Sequence, residues 1–344
     1  MRRSAACILI LLLTCSLLAG TGITAQGRGQ AVLTDDSVRH AFTHNPAFIT
    51  SSDFSLHIPI QTRVHNVTGI LGSDFTGNIK GIMSGDARRM ATSILDILRS
   101  FNGRMDLLEV EEGLSFTLKG LGAGVFLRQK AVTYDGSLGM RFALEMEAEL
   151  DWGLGWRWDL DDGYTIAAGL VNRTRIGLRT SLVGVDTVVD FLLDPSSALN
   201  ISLEEDIANS FDIGTYFCLP YGFSTSFVVR DIGPDGNTAA IDTAFGWKGS
   251  LSILSLSLEA GLKGWSSIRD EVDLMKSLDA GLSLGITSLL SISAGIDGGY
   301  PSFGIDLELL CFAISAAWYW QDYGVVYGLA PRDVLSIEIA LLID

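Results

Sequence analysis

Between Leu138 and Leu160 the chain alternates without interruption. Even positions carry Leu144, Met146, Leu150, Trp152, Trp156 and Trp158, and odd positions carry Arg141, Glu145, Glu147, Glu149, Asp151 and Arg157. Side chains of a β-strand point to opposite faces with a period of two. One face of this segment is therefore apolar and aromatic, the other charged. Strands of ordinary soluble domains run to about 5–6 residues, and a membrane-crossing strand needs about 9–11. The register here outlasts both, as one very long strand or as two strands meeting near Asp151. It predicts a barrel wall with lipid outside and water inside.

The same alternation returns along the chain. Leu254, Leu256, Leu258 and Leu262 face away from Ser255, Ser257, Glu259 and Lys263. Leu282, Leu284 and Ile286 oppose Gly281, Ser283 and Gly285, and the last strand sets Leu335, Ile337, Ile339 and Leu341 against Ser336 and Glu338. Turn signals at Asp161-Asp162-Gly163, Pro234-Asp235-Gly236-Asn237 and Gly298-Gly299 separate the runs. Past the N-terminus no apolar stretch reaches the ~18 residues of a membrane helix. Only a closed barrel satisfies its backbone in lipid with such broken hydrophobicity. The fold class expected is all-β: a transmembrane antiparallel up-and-down β-barrel of about 12–14 strands. The seven tryptophans fall in or beside strands, as aromatic girdles would.

Arg2 and Arg3, the apolar run Ala5–Leu18 and Ile23-Thr24-Ala25 predict an export signal over residues 1–25. Residues 26–53 have no period and read as a compact coil ahead of the barrel, which spans 54–344. Inside the barrel, residues 86–111 switch to helical spacing at Met90, Ile94, Leu98 and Phe101 and predict a small helical insert, with a second short helix at Met105–Glu111. Gly69–Gly85 reads as loop, and Pro195–Ser210 as an excursion from the wall. Removing the signal leaves Cys218 and Cys311, too few for a disulfide framework or a zinc motif.

With 24 basic and 40 acidic residues against 48% apolar content, the chain has no footprint for nucleic acid. No hydrolase elbow, phosphate loop or Cys-x-x-Cys occurs, so neither an enzyme nor a cofactor site is expected. His40, His44, His57 and His65 cluster near the N-terminus and read as polar residues of a folded N-terminal plug. Arg141, Glu145, Glu147, Glu149 and Arg157 are the lumen-facing candidates, where carboxylates raise the local cation concentration or are merely solvated.

His44-Asn45-Pro46-Ala47-Phe48-Ile49-Thr50 stands between the signal and the first strand. Together with Phe211-Asp212-Ile213-Gly214-Thr215-Tyr216, Phe227-Val228-Val229-Arg230-Asp231-Ile232-Gly233 and the ending from Phe303, it resembles the FadL-like outer-membrane transporters, a group that includes PorV-like and TraF-like barrels. The resemblance implies an N-terminal hatch threaded into the barrel, with Asn45, Pro46 and Ala47 as its motif, and a path for an apolar ligand. It implies location in the outer membrane and passage of long-chain fatty acids or other hydrophobic small molecules. The partners it implies are that cargo, outer-membrane lipid and the barrel-assembly machinery. A non-transporting barrel serving as a surface structural or secretion partner, and a nonspecific porin, are the alternatives. The chain ends in Asp344 rather than in the aromatic residue common among such barrels.

Overall fold

The computed structural model describes residues 23–343 except 36–40, 73–74, 84–85, 87–88, 90–91, 94–104, 137–138, 161–162, 182, 185–202, 234–238, 252, 268–270, 288, 324–327 and 329. Residues 1–22 of the expected signal segment, His40 and most of the expected insert lie outside the described residues.

Fourteen long strands form the wall: β1 (Phe54–His65), β2 (Met105–Leu118), β3 (Leu121–Gly136), β4 (Gly139–Asp159), β5 (Thr165–Thr180), β7 (Leu203–Cys218), β8 (Phe223–Ile232), β9 (Ala240–Leu251), β10 (Leu254–Leu262), β11 (Leu278–Gly285), β12 (Leu290–Asp297), β13 (Tyr300–Leu309), β14 (Phe312–Asp322) and β15 (Pro331–Ile343). A two-residue strand, β6 (Val183–Gly184), adds to the rim of β4. Each long strand pairs antiparallel with the next, and β1 pairs with β15 to close the cylinder. Closure removes the unpaired edge that lipid would not tolerate.

Alternation decides which face meets the membrane. On β4, Leu144, Met146, Leu150, Trp152, Leu154, Trp156 and Trp158 are exposed, whereas Asp151 and Gly153 are buried. On β10, Leu254 and Leu258 are exposed, and Ser257 and Glu259 between them are buried. The inward face of the whole wall is mainly polar, and the outward face is an apolar band. The long alternating segment is one 21-residue strand, with no break at Asp151.

Connections are short at one end, as at Lys119-Gly120 and Leu310-Cys311, and the longest, from β1 to β2 and from β5 to β7, leave from strand ends at the other. Short turns face the periplasm in such barrels and long loops the exterior. His65 thus stands at the external mouth, and Phe54 and Ile343 at the periplasmic end. The wall is uneven in height. β2, β3, β4, β5 and β7 run 14–21 residues, and β8 to β14 only 8–12. The long group rises beyond what a bilayer can cover.

Three expectations are corrected. Met105–Glu111 is strand, not helix, because it pairs with β3 and, from Leu108, with β1. Helices occur earlier instead, at Val67–Gly72, which overlaps the start of the segment read as loop, and at Phe75–Met83, within it. The Asp333 carboxylate holds the start of the first by accepting from the Thr68 N–H and hydroxyl at 3.1 and 2.7 Å, a tertiary contact that composition does not reveal. Leu203–Ser210 belongs to β7, paired with β5 from Thr180↔Leu203 onward.

Candidate functional site: a hatch docked on the inner wall

The chain before β1 lies inside the cylinder. Ile23, Ala25, Val32, Leu33, Ala47, Phe48 and Ile49 are all buried. Ile23–Gly27 is helical and packs on β12, β13 and β14.

Its first half is held by charge-assisted and backbone hydrogen bonds. Thr24 Oγ1 donates to Asp306 at 2.7 Å, and Ser302 Oγ donates to the Gly27 carbonyl at 3.2 Å. Arg28 pairs with Asp35 at 2.5 Å within the hatch and reaches Ser257 at 3.0 Å. Glu259 of β10 accepts from the Leu33 N–H, the Thr34 N–H and the Thr34 hydroxyl at 2.7, 2.9 and 2.5 Å. Hydrogen bonds to ionised acceptors are the stronger kind.

The second half turns at Asn45. Proline disfavours the helical region for the residue before it, and Asn45 is extended at φ −139°, ψ 112°. Its Oδ1 accepts from the Ala47 N–H at 3.0 Å, opening the 3-10 turn Pro46–Thr50. Its Nδ2 donates to the Leu33 carbonyl at 3.0 Å and to the Thr215 carbonyl of β7 at 3.3 Å. One buried amide thus ties both halves of the hatch to the wall. Phe48 meets Tyr216 edge-on, with ring centroids 5.1 Å apart, in a cluster with Ala47 and Ala167.

Glycines make the floor. A Cβ at Gly169 would stand 2.0 Å from the Pro46 carbonyl oxygen, and one at Gly214 would stand 2.1 Å from Asn45 Oδ1. These two glycines face each other across β5 and β7. A second facing pair, Gly281 and Gly295 on β11 and β12, lies under Arg28 with the same clearance of 2.3 Å.

Beside the turn runs a ladder of inward charges. Asp151 on β4, Arg173 on β5, Asp212 on β7, Arg230 on β8 and Asp242 on β9 connect strand to strand. The two arginines also grip the hatch: Arg230 donates to the His44 carbonyl at 2.6 Å, and Arg173 donates to the Thr43 carbonyl at 3.3 Å. Burial, then the nearby Arg230, Lys263 and Arg173, depress His44 to about 3, so it is neutral here.

The other sequence candidates sit elsewhere. Glu145 pairs with Arg179 at 3.4 Å, Glu147 with Arg128 at 3.0 Å, and Glu149 with Arg175 and Arg173 at 2.7 and 3.4 Å. Each of the three thus has an arginine beside it. Arg141 is half-buried near the external end of β4, and Arg157 pairs with Asp159 at the periplasmic end, in a more exposed setting. Neither touches the hatch turn. Cys218 and Cys311 are both free thiols. Missed at the sequence level were Glu259, Arg173, Arg230 and the paired glycines. Their inward register was legible from the alternation, but their common partner was not.

A closed barrel with an apolar outer band, short turns at one end and an N-terminal hatch inside defines an outer-membrane β-barrel with an internal plug. No protein-family model and no curated protein sequence matches the chain. Solved structures do. The toluene transporter TbuX of Ralstonia pickettii superimposes with a TM-score of 0.52 at 12% identity, covering 94% of this chain and 98% of that one. The CymD monoaromatic hydrocarbon channel gives 0.50 at 10%, covering 94% and 97%, and the Pseudomonas putida toluene transporter TodX gives 0.50 at 10%, covering 94% and 98%. The fold is that of the FadL-like barrels.

Proposed function

We propose that the protein passes small hydrophobic molecules across the outer membrane, with the hatch as its closure. The observation that carries this reading is how the hatch is held. It rests on glycine-paved wall through hydrogen bonds and ion pairs, while the wall strands carry their own backbone bonding. Such a plug can detach without opening the barrel. The similar solved structures are described as transporters or channels for toluene and monoaromatic hydrocarbons, in keeping with an apolar cargo. Long-chain fatty acids are the finer form of the proposal. Each buried CH₂ favours transfer out of water by about 0.8 kcal/mol, so an acyl chain gains strongly from an apolar route. A nonspecific porin fits poorly with an interior occupied by buried hatch residues.

One observation favours a second reading. The charge ladder from Asp151 to Asp242 and the grip of both its arginines on the hatch suit a permanently closed barrel that serves as a surface or secretion partner.

A reversible tether tests the first reading. A Cβ at Gly246 lies 3.0 Å from the Thr34 Cβ, about half an ångström inside the spacing of a disulfide. Cysteines at both positions, with Cys218 and Cys311 replaced, lock the hatch when oxidised. Uptake of labelled toluene and of a fluorescent fatty acid is expected to stop on oxidation and return on reduction. Equal uptake in both states excludes a moving hatch, and no uptake in either, with a co-purifying protein, supports the partner reading.

A further inference from the structure

Among the described residues, a group of metal-ligating side chains lies at the external mouth, away from the hatch turn. A ring nitrogen of His65, a carboxylate oxygen of Asp106 and one of Glu109 all lie within 4.8 Å of one another. His65 is 1% exposed. Its Nδ1 is 2.7 Å from the Tyr323 hydroxyl, and its Nε2 is buried with no hydrogen-bond partner. The Tyr323 oxygen also bonds the backbone of Asp106. A phenol oxygen has two lone pairs, so it can accept from both. With Nδ1–H donating to Tyr323, Nε2 keeps an unshared pair. An imidazole beside two carboxylates, with one nitrogen unshared and the other oriented by a fixed partner, has the parts of a metal site.

We propose that His65 Nε2, Asp106 and Glu109 form a divalent transition-metal site that joins the external ends of β1 and β2. One imidazole and two carboxylates suit zinc or manganese, with water completing the coordination. A β-bulge between Asp106 and Leu108 interrupts the pairing of β2 at this point, and bulges re-aim side chains. The charges around the site leave room for a cation. Arg63 and Arg128 both engage Glu109 through Oε1. The ammonium of Lys130 is 3.7 Å from Asp106 Oδ2 and equally far from Glu109 Oε2. That is well beyond the ~2.7–2.9 Å of a charge-assisted hydrogen bond. Lys130 is thus a loosely held stand-in for the cation, on a stem flexible enough to withdraw. With Glu111 and Glu147, which also pair with Arg128, four carboxylates face three cations.

Calorimetric titration of the full chain in detergent micelles, stripped with chelator and then given zinc or manganese, tests the site. One ion per chain is expected. His65→Gln is expected to lower the affinity at least 100-fold, and Tyr323→Phe about 10–100-fold, as for loss of a partner that orients a ligand. Lys130→Met is expected to raise it about tenfold by removing the competing ammonium. The heat-dependent shift in gel mobility reports whether each variant is a folded barrel. Absence of saturable binding to the wild type, or equal affinity in folded His65→Gln, overturns the proposal. Should His65→Gln not assemble, Lys130→Met decides, and an unchanged or weaker affinity in that variant overturns it as well.

Discussion

Asn45 and Gly214 are packed so closely that a single methyl group on Gly214 would stand 2.1 Å from Asn45 Oδ1. The contact joins the hatch turn to the wall at the one position where β7 has no side chain to move aside. Gly214→Ala is therefore expected to displace the hatch by overpacking, at a cost of about 1–3 kcal/mol. The barrel should still form, because Gly214 keeps its backbone pairing with Gly169 and Val228. Limited proteolysis checks this: faster cleavage within residues 41–52, with an unchanged heat shift, is the expected outcome.

Asn45→Ala removes the acceptor of the Ala47 N–H and the donor to the Leu33 and Thr215 carbonyls. Leaving buried backbone groups unpaired costs about 1–3 kcal/mol each at most. Hydrogen exchange at the Ala47 amide should accelerate in this variant, while strand amides of β5 and β7 stay protected. Asn45→Asp should behave almost as badly, since it restores the acceptor but not the donor.

Hatch docking should weaken in acid. His44 titrates near its ordinary 6.5 when released and at about 3 when docked, where burial and the Arg230, Lys263 and Arg173 charges oppose its protonation. Between those values the released hatch binds a proton that the docked hatch does not. Docking is thus unaffected above pH 6.5 and loses up to about tenfold per pH unit below it, or about 30-fold at pH 5. Proteolytic release of the hatch measured from pH 8 to pH 5 should follow that slope. In His44→Gln this part of the slope should vanish.

The height of the wall predicts where a charge is tolerated. Leu154 faces outward on the periplasmic half of β4, within the ~10 residues a bilayer covers, and Met146 faces outward nearer the external end. Leu154→Arg should cost ~2–4 kcal/mol and Met146→Arg ~0–1 kcal/mol, the values for the midplane and the interface. Refolding into liposomes, followed by urea titration, compares the two. Equal losses would place the membrane band higher on β4 than the strand lengths imply.

The alternation from Leu138 to Leu160 determined much by itself. A period of two over so many residues fixes which side chains share a face, and an apolar outer face with a polar inner one specifies a barrel. It marked Leu150 and Trp152 as outward and Glu149 and Asp151 as inward without any knowledge of neighbours. Local chemistry also made Asn45-Pro46 a turn, since proline constrains the residue before it.

Tertiary structure decided what local signals left open. Met105–Glu111 satisfies a helical spacing as well as a strand, and only pairing with β1 and β3 settles it. Glu145, Glu147 and Glu149 read as free carboxylates along one strand, yet arginines on β3 and β5 stand beside them in the closed wall. The floor of the hatch depends on Gly169 meeting Gly214, and Gly281 meeting Gly295, across strand pairs. A strand's own sequence states which way a residue points. Which residue it meets depends on the register of the neighbouring strand and on the chain folded inside the barrel, and those are set by closure of the whole wall.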